Sequence, residues 1–136
     1  MMKIHHVGYL VKKMDRAIDS FTILGFCSIS DMIYDEYRDV DIQFMEKDGY
    51  VVELVSPRSD RSVVSNLIKT YKNTPYHICY ESDSFEDDLK TLELSHFTMF
   101  DEPCPAPALG DRRVCFLQSP RIGMIELVEM EREDNM

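Results

Sequence analysis

An internal repeat restricts this chain more than any other feature. Displacing the first half by 71 positions sets His6-Val7-Gly8-Tyr9 on His77-Ile78-Cys79-Tyr80, and Met14, Ile18 and Phe21 on Phe85, Leu89 and Leu92. Those last three positions follow the i, i+4, i+7 spacing of one helix face. The offset then drifts: Phe44-Met45 falls on Phe116-Leu117 at 72, and Glu53-Leu54-Val55 on Glu126-Leu127-Val128 at 73. Unequal loops produce such a drift, so the chain reads as one supersecondary unit used twice.

Each copy reads strand, helix, strand, strand, strand. In the first, Ile4–Val11 alternates and is rich in β-formers, and the helix Met14–Leu24 stops at Gly25. Strands are expected at Phe26–Tyr34, Val40–Met45 and Tyr50–Val55, with a tight turn at Lys47-Asp48-Gly49 and Pro57 closing the unit. Helical spacing of Val63, Val64, Leu67, Ile68 and Tyr71 predicts a linker helix over 60–72. The second copy follows Pro75, with a helix Phe85–Leu94 for which Asp83 and Glu86 propose a capping box. Its strands are expected near Phe97–Phe100, Arg113–Leu117 and Met124–Val128. The run Pro103–Gly110 is too proline-rich for regular structure and reads as an ordered loop over a site. The fold class is thus α+β: two tandem β-α-β-β-β modules, about 3–57 and 75–130, in a single domain spanning 1–136. Their strands are expected to form a curved, partly closed mixed sheet around a cavity.

Polar residues in apolar strands carry the functional signal. Glu53 sits in Val51-Val52-Glu53-Leu54-Val55 and Glu126 in Met124-Ile125-Glu126-Leu127-Val128. Either carboxylate alone could simply face water on a half-exposed sheet, because burying it without a partner is very costly. Their equivalence in the two copies, and that of His6 with His77, argues otherwise. Alternation along each first strand gives Val7, Tyr9, Ile78 and Tyr80 to the helix side and leaves His6 and His77 opposite. Each copy therefore offers one imidazole and one carboxylate away from its helix. Packed face to face, the copies would supply an N₂O₂ set suited to one divalent ion: Zn, Ni, Co, Mn or Fe(II). Four protein ligands leave positions open for water or substrate, as catalysis requires.

Bulk properties narrow the partners. At 136 residues, 44% hydrophobic and 29% charged, this is the composition of an ordinary globular protein. A formal charge of −10 argues against nucleic acid and anionic membranes, which bind through clustered Lys and Arg. No apolar run approaches the ~20 residues of a membrane helix. The opening Met-Met-Lys-Ile-His-His passes straight into a strand pattern, so no secretory leader is expected, and the polar tail from Glu131 is expected to fray. Cys27, Cys79, Cys104 and Cys115 are scattered and read as free thiols of a cytoplasmic protein.

The stretches Ile4–Val11, Val52-Glu53-Leu54-Val55-Ser56-Pro57, Tyr76-His77-Ile78-Cys79-Tyr80-Glu81 and Arg113–Pro120 running on to Glu129 resemble the vicinal oxygen chelate superfamily. Its branches include glyoxalase I, methylmalonyl-CoA epimerase, bleomycin-resistance proteins and extradiol dioxygenases. The resemblance spans Lys3 to about Glu129 and is nearest to the epimerase branch in length and in the Pro-rich loop. It implies that His6, Glu53, His77 and Glu126 bind the metal. It also implies a lyase or isomerase that removes a proton alpha to a carbonyl or thioester, with metal stabilisation of the enolate and Glu126 as base. A glutamate that some epimerases use as second acid/base aligns with Gln43, which cannot shuttle a proton; nearby Glu46 is the other candidate. Arg113, beginning a strand after the Pro-rich loop, is the expected contact for an anionic substrate group, unless it pairs with the protein's own carboxylates. The expected partners are a small-molecule substrate and a second copy in a homodimer. Competing readings are a bleomycin-resistance-like binding protein and a non-catalytic scaffold.

Overall fold

The computed structural model describes residues 2–131; the part of the tail expected to fray that follows Glu131 lies outside them. In chain order the elements are β1 (Met2–Leu10), α1 (Met14–Ile23), β2 (Cys27–Ser28), β3 (Ile33–Asp35), β4 (Val40–Lys47), β5 (Tyr50–Pro57) and α2 (Ser65–Tyr71). They continue as β6 (Thr74–Ser82), α3 (Phe85–Leu94), β7 (Thr98–Met99), β8 (Cys104–Ala106), β9 (Arg112–Ser119) and β10 (Gly123–Glu129). The fold is α+β, and none of the described helices is long and apolar enough to cross a membrane. Two compact units emerge. The first runs from His6 to Tyr76; the second runs from His77 onward and includes the opening residues of β1. The linker helix belongs to the first unit.

In the first unit the strand order is β2-β4-β5-β1, with β3 also on the outer edge of β4. β5 pairs in parallel with β1, setting Glu53 beside Gly8, and antiparallel with β4, setting Glu53 beside Phe44. In the second unit the order is β6-β10-β9-β7, with β8 also on β9. There Glu126 lies beside Cys79 of β6 and Phe116 of β9. These are the residue pairs that the sequence offsets match, so the repeat is a repeat of register as well as of pattern.

Each helix covers the opposite face of its own sheet. Met14, Ala17, Ile18 and Phe21 of α1 pack on Val11, Met45, Val52 and Leu54. Phe85, Leu89 and Leu92 of α3 pack on Cys115, Leu117, Ile125 and Leu127. Burial of such side chains contributes roughly 1.5–3 kcal/mol each, which fixes strand register, since a one-residue slip would turn every one of them outward. Gly25 ends α1 with φ +101°, and Lys47 caps the helix by donating from Nζ to Leu24 O at 2.9 Å. Asp48 and Gly49, both at positive φ, make the β4–β5 turn with Lys47 and Tyr50 paired across it.

Four expectations change. The single strand foreseen over 26–34 is split into β2 and β3, because Ser30 Oγ takes the Phe44 N–H at 3.2 Å and displaces the backbone partner. The linker helix begins only at Ser65. Before it, Ser59 and Ser62 hydroxyls accept the Arg61 and Val64 N–H groups, a turn chemistry that competes with helix. The α3 capping box is absent: the N-cap is Ser84, with no side-chain cap bond. Finally, Pro103–Gly110 is not wholly irregular. Cys104–Ala106 pairs antiparallel with β9, and a 3-10 turn at Pro107–Leu109 follows. As a short edge strand it tolerates prolines that a central strand would not.

Candidate metal and acid/base site

The face of each sheet that turns away from its helix carries the same constellation. In the first unit His6 and Glu53 share that face, with His6 Nε2 3.4 Å from Glu53 Oε1. The imidazole meets the Phe44 ring edge-on at a centroid separation of 5.5 Å. In the second unit His77 Nε2 lies 3.1 Å from Glu126 Oε1, and His77 meets Phe116 edge-on at 5.2 Å. None of the four ligand-type residues is more than 5% exposed. The bland alternative, glutamates facing water on an open sheet, is excluded by that burial.

Carboxylates so deeply buried need a cationic or hydrogen-bonding partner, and here each has an imidazole. The donor spacing suits more than a hydrogen bond. Two ligands bound to one ion at about 2.0–2.2 Å stand roughly 2.8–3.1 Å apart when cis in octahedral geometry and roughly 3.3–3.6 Å apart in tetrahedral geometry. Each half therefore fits a divalent cation by donor type, burial and spacing. Phe44 and Phe116 pack edge-on against the imidazoles and hold each Nε2 facing the carboxylate of its own unit.

The other two expected site residues lie elsewhere. Gln43 faces the helix side of its sheet, opposite Leu54, while its neighbour Phe44 is the one that shares the Glu53 face. No bulge interrupts β4, so strict alternation leaves no other outcome. Its Nε2 donates to Ser30 O at 2.5 Å and to Phe44 O at 3.3 Å, which makes it a buried strut between β4 and the β2–β3 break. The expectation that it marks a proton-transfer position does not carry over to this geometry. Glu46 does share the Glu53 face, but it is exposed, two residues beyond Phe44.

Arg113 also faces its helix. Its guanidinium donates to both carboxylate oxygens of Glu129, at 3.1 and 2.9 Å, and to Glu86 Oε1 at 2.5 Å, and it sits 4.9 Å above the Phe85 ring. The two carboxylates raise its affinity for a proton further, and Arg113 in turn holds the Glu86 carboxyl below its usual range. The self-pairing reading is the one realised. Beginning a strand says nothing about which face a residue takes, and Arg112, one position earlier, takes the other.

Sequence reasoning missed two charged pairs on the His/Glu faces. Asp35, 2% exposed, lies opposite Val40 on the face of Phe44 and Glu53, and binds Arg38 Nη1 at 2.7 Å. In the second unit Glu81 stands opposite Val128, on the face of Cys79 and Glu126, and binds Arg112 Nη1 at 2.7 Å. Alternation from His77 along β6 accounts for Glu81, whereas Asp35 and Arg112 are placed only by cross-strand register.

Comparison with known proteins decides the family. The profile of the Glyoxalase/Bleomycin resistance protein/Dioxygenase superfamily matches residues 5–116. The chain belongs to this superfamily. Among its members, the mitochondrial methylmalonyl-CoA epimerase of Dictyostelium discoideum is 26% identical over 136 residues, covering 96% of this chain and 78% of its own. A hypothetical protein from Bacillus halodurans C-125 superimposes with a TM-score of 0.86 at 22% identity, over 99% of both chains. Methylmalonyl-CoA epimerase from Mycobacterium tuberculosis gives 0.81 at 18% identity, over 95% of this chain and 88% of its own. At those identities the structural likeness speaks for the superfamily fold alone. Glu126 lies beyond the profile match, whereas His6, Glu53 and His77 lie within it.

Proposed function

We propose that this protein is a divalent-metal-dependent isomerase of the epimerase type, removing a proton alpha to the carbonyl of an acyl-CoA thioester. His6, Glu53, His77 and Glu126 would together hold one ion, and Glu126 would act as the base. The observation that carries the reading is the duplicated, buried His Nε2–Glu Oε1 pair, at 3.4 Å in one unit and 3.1 Å in the other. Nothing in packing calls for two such pairs at repeat-equivalent positions, and an apolar pair would cost less to bury. The substrate class is taken from the methylmalonyl-CoA epimerases named above.

A bound divalent cation would supply the positive charge that makes a carbon acid beside a thioester ionisable near neutral pH. The chain's own groups do the rest. The edge-on phenylalanines hold the imidazoles, and the apolar neighbours Val128, Val55 and Leu10 on the same faces exclude water. Glu126 takes the proton once its carboxylate is released from its partners, since a carboxylate beside cationic charge is a weak base. With no proton-transfer group at position 43, the proton that inversion needs on the opposite face of the enolate would come from solvent. The test is metal analysis of protein purified without chelator, followed by solvent-deuterium exchange into a panel of acyl-CoA thioesters. About one ion per chain and exchange of the alpha proton are expected. Neither metal nor exchange would leave the bleomycin-resistance-like binding reading in its place.

A further inference from the structure

We infer that Arg112 is a substrate-recognition residue that binds a phosphate of the thioester's CoA tail, with Glu81 as its competing internal counterion. This rests on the acyl-CoA reading above and extends it to how the substrate is selected.

The repeat supplies the first argument. The first-unit equivalents of Glu81 and Arg112 are Leu10 and Val40, which are 0% and 2% exposed. The match is one of register, since Leu10 stands beside Val55 as Glu81 stands beside Val128. The fold is thus satisfied by an apolar pair at these two positions. Replacing it with a partly buried ion pair costs desolvation that the pair's attraction does not reliably return. The exchange occurs in one copy only, on the face that carries His77 and Glu126.

The second argument is hydrogen bonding. Arg112 donates from Nε to Leu109 O at 2.9 Å and from Nη1 to Glu81 at 2.7 Å and Glu129 O at 3.4 Å. Its Nη2 donates to none of the described residues. The Arg112 and Glu81 side chains are 17% and 21% exposed, enough to meet a ligand and too little to be a freely solvated surface pair. Arg112 is therefore preset by three acceptors with the two N–H groups of Nη2 still open, and these charged donors suit a phosphate oxygen.

The third argument is distance. Glu81 is four residues from His77 along β6, about 13 Å at ~3.3 Å per residue. A phosphate at the other end of a pantetheine arm suits that backbone separation better than an acyl carboxylate next to the reacting carbon. The recognised anion is thus the remote one, and the Leu109 carbonyl on the Pro-rich segment ties that segment to the same contact.

The experiment measures dissociation constants for acetyl-CoA and for S-acetylpantetheine, which lacks the phosphates. Both the purified and the chelator-treated full chain are used. Arg112→Met should weaken acetyl-CoA roughly 10–100-fold, the range of a charge-assisted contact, and leave S-acetylpantetheine nearly unchanged. Arg112→Lys should recover part of the loss. Glu81→Gln should tighten acetyl-CoA several-fold by removing the competitor. Equal weakening of both ligands, or no weakening of either, would overturn the proposal and leave Arg112 a tie for the Pro-rich segment. So would wild-type protein that fails to prefer the phosphorylated ligand. Because the ratio is read without metal or turnover, a failed metal assignment and a failed Arg112 assignment give different results.

Discussion

Nε2 of His77 lies 3.1 Å from Oε1 of Glu126, with both residues 3% exposed. Removing the imidazole leaves a sealed carboxylate without that partner, an arrangement that costs several kcal/mol when a buried pair is broken. His77→Ala is therefore expected to lower thermal stability and, on the proposed reading, to abolish metal binding. Calorimetry with and without added Zn²⁺ separates the two effects. Wild type should gain stability with metal by mass action and the variant should not. A variant that retains full metal content would remove His77 from the ligand set.

Glu53 and Glu126 occupy equivalent positions, yet the proposal gives them different roles. Glu126→Gln keeps the shape and an oxygen ligand while removing the base. It should lose roughly 10²–10⁴-fold in alpha-proton exchange at saturating metal, the usual contribution of general-base catalysis. Glu53→Gln should chiefly weaken metal affinity, with exchange restored as metal is raised. Equal losses in both variants would make Glu126 a ligand and nothing more.

Much of this was readable from the chain, because period and repeat act together. Two apolar faces at helical spacing and four ligand-type residues at drifting offsets located α1, α3, the long strands of each unit and the His and Glu that each unit turns away from its helix. Failure came where side chain and backbone compete locally, or where one residue decides a face. Ser30 breaks a strand that propensity alone would continue, by supplying a hydroxyl where a carbonyl was expected. Arg112 and Arg113 are adjacent and chemically equal, but β-alternation sends them to opposite faces, and only the β9–β10 register reveals which. The same parity error separates Gln43 from Phe44.

Arg113 is expected to be structural. Arg113→Met removes the contacts to Glu129, Glu86 and Phe85, which at a side-chain exposure of 38% should cost about 1 kcal/mol, or roughly 3–5 °C in Tm. Affinity for substrate should not change. The hydrogen bond from Arg113 lowers the Glu86 carboxyl in the folded state, so the stability it lends is present above the unfolded pKa and is lost as pH falls through the lowered value. The gap between wild type and variant, followed by thermal melts, should accordingly narrow on acidification. A gap that widens in acid would contradict the pairing.

Cys115 faces the α3 side of its sheet and is 2% exposed, and burial pushes its thiol up to about 11. It should resist iodoacetamide in the native protein at pH 8, while exposed Cys27 reacts, as peptide mass mapping of the alkylated chain would show. A raised thiol pKa contributes stability that is complete below the unfolded value near 9 and is lost as pH climbs through about 11. Native labelling of Cys115 at a rate matching Cys27 would show that the α3 core opens far more readily than its packing implies.

Gln43 gives the sharpest test of the face assignment. If position 43 were a proton-transfer position, Gln43→Glu would install a base and raise alpha-proton exchange. The structure predicts the reverse. The Gln43 amide is 4% exposed and donates to the carbonyl of Ser30, whereas a carboxylate has no proton to give and would meet that oxygen as an acceptor. Burial and the facing carbonyl both disfavour its charged form, so the new carboxyl should have a raised pKa. It is tolerated while protonated and becomes costly as pH rises, since a raised folded pKa lends stability below the unfolded value and loses it above. Gln43→Glu should therefore be destabilised by roughly 1–3 kcal/mol at pH 7.5, recover part of that near pH 5, and gain no exchange activity at either pH. Urea melts at the two pH values, run beside the deuterium-exchange assay, read both quantities. A stable variant with faster exchange would put position 43 on the His6–Glu53 face and overturn the register described for β4.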